Sequence, residues 1–114
     1  MRRGEVWTVS GGADDSGQPR PAVIVQDDRF EATASVTLCP FTTHPTGAPL
    51  FRLAVQPSEF NGLDTECRLM VDKVATVNKG KLGVRLGRLD DDDLVRLNRA
   101  VVVFLGLAGP SRSR

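Results

Sequence analysis

The 114-residue sequence lacks several features that assign proteins to common functional classes. Its formal net charge is only +1, which argues against gripping nucleic acid by bulk charge, so a nucleic-acid site would have to be a local cluster. No apolar segment is long enough to cross a membrane, and residues 1–5 are not followed by an apolar signal core. We therefore expect a cytoplasmic protein.

Cysteine is scarce, and metal-binding patterns are missing. The two cysteines, Cys39 and Cys67, lie in apolar strand-like runs, and neither belongs to a Cys-x-x-Cys unit. We expect both to be reduced residues of the core, which is the usual fate of a free cysteine, and a disulfide between them is the less favoured alternative. The four aspartates at 90–93 suit a helix N-terminus better than a metal site. We therefore predict no metal and no cofactor.

The strongest positive feature is the run RPAVIV at residues 20–25. Its β-branched, unbroken apolar part predicts a strand covered on both faces. Pro21 fits the beginning of such a strand, and it favours an extended Arg20 at the end of a glycine-rich loop. A guanidinium held at the mouth of a barrel matches phosphate oxygens. The alternative is an arginine that pairs with a carboxylate at a strand end.

The remaining pattern predicts a mainly β protein with a C-terminal helix. Predicted strands cover residues 5–9, 20–26, 35–41, 48–57, 67–77 and 82–89, and a loop covers residues 10–19. Asp90 is the expected N-cap of a helix with a stripe of Leu94, Leu97, Val101 and Leu105, widened by Val95, Ala100 and Phe104. We expect one domain over residues 1–109, a small barrel with one end covered by the helix, and a flexible tail at 110–114.

Two further places are rich in reactive side chains. Thr42, Thr43 and His44 leave the third predicted strand together. Asp72 and Lys73 interrupt an otherwise apolar strand, which indicates an exposed barrel end, a site or an interface.

Five motifs in order resemble the MazF/PemK toxins of bacterial toxin–antitoxin systems. They are RGEVW (3–7), RPAVIV (20–25), CPFTT (39–43), VDKVATV (71–77) and LGL (105–107). The resemblance implies an SH3-like barrel of the CcdB/MazF type that forms a homodimer. It also implies a ribosome-independent endoribonuclease acting on single-stranded RNA, a MazE-like antitoxin that blocks the site, and promoter DNA bound by the toxin–antitoxin complex.

The same resemblance implies that Arg20 and Thr42 carry catalysis. RNA contacts are expected from Arg20, Thr43, His44, Asp72 and Lys73. The sequence departs from the family pattern at Ala75, where an arginine is usual, and Lys73 stands in place of a glutamine. Strict strand alternation would put Lys73 on the face of Ala75, so that its charge could replace the missing one.

The expected chemistry uses the RNA 2′-hydroxyl as nucleophile and needs no metal. Arg20 would clamp the scissile phosphate and Thr42 would donate a hydrogen bond to it. His44 is one candidate general base, with Thr43 and Asp72 as others. Two alternatives stay open: a CcdB-like inhibitor of DNA gyrase, and a binding module of the same fold with a weak or degenerate site.

Overall fold

A computed structural model describes residues 1–11, 18–45 and 47–110 of the chain. The predicted loop at 10–19 and tail at 110–114 lie largely outside these residues. The described elements are seven strands and one helix: β1 (Glu5–Val9), β2 (Arg20–Ile24), β3 (Ser35–Thr42), β4 (Arg52–Val55), β5 (Cys67–Met70), β6 (Ala75–Asn78), β7 (Leu82–Arg88) and α1 (Asp91–Phe104). Three 3-10 turns lie at Asp28–Phe30, Val71–Lys73 and Lys79–Lys81. The prediction of a mainly β protein with a C-terminal helix is confirmed.

All the strand pairs are antiparallel, in the order β4-β5-β3-β2-β1-β7, with β6 also pairing with β3. Strands β6 and β7 therefore lie at opposite ends of the series β6-β3-β2-β1-β7, yet only the turn Lys79–Lys81 joins them. A flat five-stranded sheet would separate its outer strands by about 19 Å, which exceeds the roughly 14 Å that this connection can span. The sheet must therefore curl into an SH3-like barrel, although no ladder between β6 and β7 closes it within the described residues.

Strand β2 is buried on both faces, as its apolar run predicts. Val23 belongs to a cluster that includes Val6, Cys39, Phe41 and Leu97. Ala22 and Ile24 face the opposite way and pack with Val36 and Leu38 inside the barrel, where Trp7 is partly buried against them. The Trp7 indole N–H donates to the Glu5 carboxylate at 3.0 Å, which satisfies the polar edge of the ring.

The predicted strand at 67–77 is wrong in its middle, because the turn Val71–Lys73 separates β5 from β6. Asp72 in this turn binds Arg52 of β4 through two hydrogen bonds, at 2.7 and 2.9 Å. The Val71 N–H also donates to the Phe51 carbonyl at 2.9 Å. These contacts with a segment about 20 residues earlier favour the turn over a continuous strand.

The helix begins and ends where the sequence predicts. Asp90 occupies the N-cap position, although its carboxylate accepts from the Ser58 hydroxyl at 2.8 Å and not from a helix amide. Gly106, with φ +74°, closes the C-terminus, where its N–H and that of Leu107 donate to the Val103 and Val102 carbonyls at 3.0 and 2.8 Å. No helix of the described chain combines the length and apolar character needed to cross a bilayer.

The predicted apolar stripe of the helix is only partly buried. Leu97 and Ala100 are buried, and Leu94 and Val101 pack beside them. The other predicted stripe residues are exposed: Val95, Phe104 and Leu105. The helix contacts β4 and the turn Val71–Lys73, so it covers a face of the sheet and not the barrel end that the sequence analysis predicts.

Candidate active site

The antiparallel register of β2 and β3 brings Arg20 and Thr42 together. Ala22 faces Pro40 and Ile24 faces Leu38, so continuing the register by two residues places Arg20, the first residue of β2, opposite Thr42, the last of β3. Because side chains alternate along a strand, Arg20 shares the inward face of Ala22. Both residues line one cavity of about 560 Å³.

This cavity, called the main cavity below, has apolar walls and a cationic rim. Its volume falls in the range of typical ligand sites. Its polar side chains are those of Ser10, Arg20, Thr42, Lys73 and Lys81. Its apolar lining comes from Val9, Pro21, Ala22, Leu38, Pro40, Phe41, Met70, Ala75 and Val77. The cationic side chains of Arg20, Lys73 and Lys81 and the apolar lining together suit an anionic ligand that also has an apolar part.

The hydroxyl of Thr42 is oriented by the backbone that follows it. The His44 N–H donates to Thr42 Oγ1 at 3.1 Å. An accepted hydrogen bond uses one lone pair of the hydroxyl and leaves its proton for another acceptor. Thr42 is half-buried at the cavity wall, so it can donate that proton to a ligand in the main cavity.

The other predicted RNA contacts are divided among three positions. Lys73 lines the main cavity, whereas Thr43 and His44 are exposed residues just beyond Thr42 that do not line it. Asp72 lines a separate cavity of about 120 Å³ with Val74, Val101 and Phe104, among others. The structure therefore brings together Arg20, Thr42 and Lys73, and places the Asp72 carboxylate elsewhere.

Asp72 acts on the main cavity through the turn that carries Lys73. The hydrogen bonds from Arg52 lower the pKa of the Asp72 carboxyl, and its charge adds to that effect. The same pairing raises the pKa of the Arg52 guanidinium. Both side chains are less than a quarter exposed, so the ion pair fixes the turn Val71–Lys73 against β4.

Lys73 and Ala75 share the main cavity, as the sequence analysis expects. The expected reason, alternation along one continuous strand, is wrong because Lys73 lies in the turn and Ala75 begins β6. The small side chain of Ala75 leaves the cavity open at a place where an arginine is usual in the family pattern.

Sequence reasoning missed Lys81 and Ser10 as residues of the main cavity. Lys81 ends the turn Lys79–Lys81, and Ser10 follows β1. The sequence identifies both positions only as parts of a turn and a loop, because their approach depends on how β7 pairs with β1.

The cysteines are free and buried, which confirms the prediction of reduced core residues. Burial, with a smaller contribution from the Asp72 charge, raises the pKa of the Cys39 thiol to about 12. Burial also raises the pKa of the Cys67 thiol, with added effects of the Asp64 and Glu66 charges. Neither thiol is therefore a ready nucleophile at neutral pH. Across the described ranges, no three His, Cys, Asp or Glu side chains converge as metal ligands.

The fold is similar to that of solved endoribonucleases. A solved endoribonuclease in complex with its cognate antitoxin, from a mycobacterial species, superposes with a TM-score of 0.78 at 28% identity, covering 96% of this chain and 99% of that chain. MazF in the MazE–MazF structure from Deinococcus radiodurans has a TM-score of 0.75 at 18% identity, over 93% of this chain and 96% of that one, and shows the fold alone.

The chain belongs to the PemK-like, MazF-like toxins of type II toxin–antitoxin systems, whose family model matches residues 2–105. The probable endoribonuclease MazF of Mycolicibacterium smegmatis is 52% identical over 109 residues, which cover 96% of this chain and 100% of that protein. Endoribonuclease MazF9 of Mycobacterium tuberculosis is 28% identical, over 94% of this chain and 98% of that protein. These matches confirm the resemblance and do not favour the CcdB-like alternative.

Proposed function

We propose that this chain is a toxin endoribonuclease that cleaves single-stranded RNA in the main cavity by attack of the RNA's own 2′-hydroxyl, without a metal ion. The observation that carries the proposal is that Arg20 and Thr42, from facing ends of β2 and β3, line one cationic cavity. Membership of the MazF-like toxin family and the endoribonuclease relatives support it.

In the proposed reaction, the 2′-oxygen attacks phosphorus while the bond from phosphorus to the 5′-oxygen breaks. A general base takes the 2′-proton, and the departing 5′-oxygen gains a proton. The products are a 2′,3′-cyclic phosphate and a 5′-hydroxyl. Arg20 binds the phosphate oxygens as their charge increases, and Thr42 donates its hydroxyl proton to the same centre.

The neighbouring residues have supporting roles in this proposal. Lys73 contacts the RNA backbone at the cavity rim and partly replaces the positive charge absent at Ala75. Thr43 and His44 contact the strand where it leaves the cavity. Asp72 contributes by holding the turn that carries Lys73.

The proposed partners follow from the family and from the surface. A MazE-like antitoxin with an acidic segment suits a cavity rimmed by three cationic side chains, those of Arg20, Lys73 and Lys81. We also propose a homodimer, because exposed apolar side chains cluster at the helix end: Val103, Phe104, Leu105 and Leu107. The toxin–antitoxin complex would bind its promoter DNA, and the toxin would act in the cytoplasm.

The test is cleavage of a mixed-sequence single-stranded RNA by the purified protein in EDTA, with mapping of the new 5′ ends. We expect 5′-hydroxyl and 2′,3′-cyclic phosphate ends. Arg20→Ala should lower the rate by at least about 10²-fold, since one preorganised donor contributes about 10²–10³ to such reactions. Arg29→Ala is the control, because Arg29 is exposed and lies outside the main cavity.

Three results would contradict the proposal: full activity in folded Arg20→Ala, strong inhibition by EDTA, or no cleavage of any RNA by the wild-type protein. The last result, combined with retained RNA binding, would favour the binding-module alternative, in which Ala75 marks a degenerate site.

A further inference from the structure

We propose that Lys81 is a second phosphate-binding residue of the main cavity, which holds the RNA phosphate next to the one clamped by Arg20. The inference rests on the proposed function and extends it, since it defines the substrate as a strand held at two successive phosphates. Lys81 lies outside every motif that carries the family resemblance, so only the structure points to it.

Backbone contacts fix Lys81 beside the end of β1. Its carbonyl accepts from the Ser10 N–H at 3.0 Å and from the Ser10 hydroxyl at 3.3 Å. The next residue, Leu82, pairs with Val9. These contacts anchor the turn Lys79–Lys81 to the edge of the main cavity, so the position of the Lys81 side chain follows from the sheet.

The ammonium group of Lys81 lies against Gly11. A side-chain carbon on Gly11 would stand 2.7 Å from Lys81 Nζ, so the absence of a side chain leaves room for the amine. Gly11 has φ +82°, a conformation that glycine adopts at low cost. No ion pair joins Lys81 to any described residue, and no described carboxylate lines the cavity. Among the described residues, no carboxylate therefore competes with a phosphate for its charge.

Arg20 approaches the cavity from β2, and Lys81 approaches it from the turn before β7. Val9 pairs with Arg20 on one side and with Leu82 on the other. Two strand spacings correspond to about 10 Å between the backbones of Arg20 and Leu82. At this separation both side chains can reach one RNA strand. We assign the scissile phosphate to Arg20, whose guanidinium can hold it with both arms, and the neighbouring phosphate to Lys81.

The chain offers a matched control in Lys79, which lies two residues earlier in the same turn. The Lys79 Nζ donates to the Glu31 carbonyl, and Lys79 does not line the main cavity. Removing either lysine changes the net charge of the protein equally, but only Lys81 adjoins the site. A difference between the two variants therefore reports a local contact and not the overall charge.

The experiment measures the affinity for a single-stranded 2′-O-methyl RNA, which lacks the nucleophile and stays intact, from 50 to 300 mM NaCl. Each phosphate contact to a single strand contributes about 0.7 to the slope of log K against log salt. We expect Lys81→Ala to lower that slope by about 0.7, which corresponds to about fivefold weaker binding at 0.1 M salt. Lys81→Arg should retain the wild-type slope, and so should Lys79→Ala.

Equal slopes in Lys81→Ala and the wild type, or an equal loss of slope in Lys79→Ala, would overturn the inference. Cleavage of ordinary RNA is measured on the same preparations, so the two proposals fail separately. If the wild-type protein cleaves RNA but Lys81→Ala keeps the wild-type salt slope of binding, only the proposed role of Lys81 is contradicted. If the wild-type protein neither binds nor cleaves RNA, the proposed function is contradicted as well.

Discussion

The ion pair between Arg52 and Asp72 gives a prediction about stability that the structure makes quantitative. Two charge-assisted hydrogen bonds, at 2.7 and 2.9 Å, join side chains that are 17% and 22% exposed. Hydrogen bonds to charged groups contribute about 1.5–3 kcal/mol, and partial exposure favours the lower part of that range. We therefore expect Asp72→Ala to lower the free energy of unfolding by about 2 kcal/mol.

That loss converts into a shift of the thermal midpoint. An unfolding entropy of about 2.1 cal/mol/K per residue gives roughly 240 cal/mol/K for this chain, so about 2 kcal/mol lowers Tm by about 8 °C. Circular dichroism melts at pH 7 measure the shift. Arg29→Ala is the control, because it removes an exposed ion pair with Asp27 and keeps the Arg29 backbone N–H that the Asp27 side chain caps, so Tm should stay nearly unchanged.

The pH dependence checks the cause. The pKa of Asp72 is lower in the folded protein than its ordinary value of 3.8, because of the hydrogen bonds from Arg52. A lowered folded pKa means that the pair stabilises the protein above about pH 4 and that this contribution is lost as the pH falls through the folded value. The Tm difference between wild type and Asp72→Ala should be constant from pH 5 to 8 and shrink below pH 4. A shift no larger than that of Arg29→Ala would refute the reasoning.

Two further predictions concern the hydroxyl of the site and the thiols. Thr42→Val should lower the RNA cleavage rate by about 10²–10³-fold with the fold retained, and Thr42→Ser should recover most of it, because the serine hydroxyl can donate from the same position. Iodoacetamide at pH 8 should label the native protein slowly and both cysteines quickly in denaturant, since burial raises the pKa of Cys39 to about 12. Rapid native labelling would contradict the buried placement.

The core strands could be predicted from the sequence because local patterns determine them. The apolar run after Pro21 predicts a strand buried on both faces, and the structure divides its residues between two clusters. The helix bounds agree with the predicted Asp90 and Gly106: Asp90 occupies the N-cap position, although its carboxylate binds Ser58, and Gly106 closes the C-terminus within one turn of chain. Where neighbouring residues determine the conformation, the secondary structure can be predicted from the sequence.

The predictions from the sequence are wrong where contacts with distant residues determine the local conformation or the burial. The alternating pattern around Val71 favours a strand, but Asp72 pairs with Arg52 and the chain turns there. The helix stripe predicts buried Phe104 and Leu105, yet both are exposed in the single chain. Hydrophobic periodicity indicates which residues avoid water, and it does not state whether this chain or another molecule covers them.

The candidate site divides in the same way between local and distant determinants. The strand pattern draws attention to Arg20 at the start of β2, the family resemblance singles out Thr42, and the β2–β3 register brings the two together. Lys81 is not predictable, because its approach requires the turn Lys79–Lys81 to cross between outer strands of the curled sheet. The position of this turn depends on the pairing of all five strands β6-β3-β2-β1-β7, which no local sequence pattern specifies.

That crossing also explains how recognition and chemistry can be separated in this fold. One short segment, residues 73–81, carries Lys73, Ala75, Val77 and Lys81 along the wall of the main cavity, whereas Arg20 and Thr42 come from the central strands β2 and β3. Central strands are held by ladders on both sides, so they suit groups that must be fixed to stabilise developing charge. Lys73 and Lys81 lie in the two turns that flank β6, and turns tolerate substitution more easily. In the proposed complex, the charge that an RNA strand would meet can change in these turns while Arg20 and Thr42 stay in place.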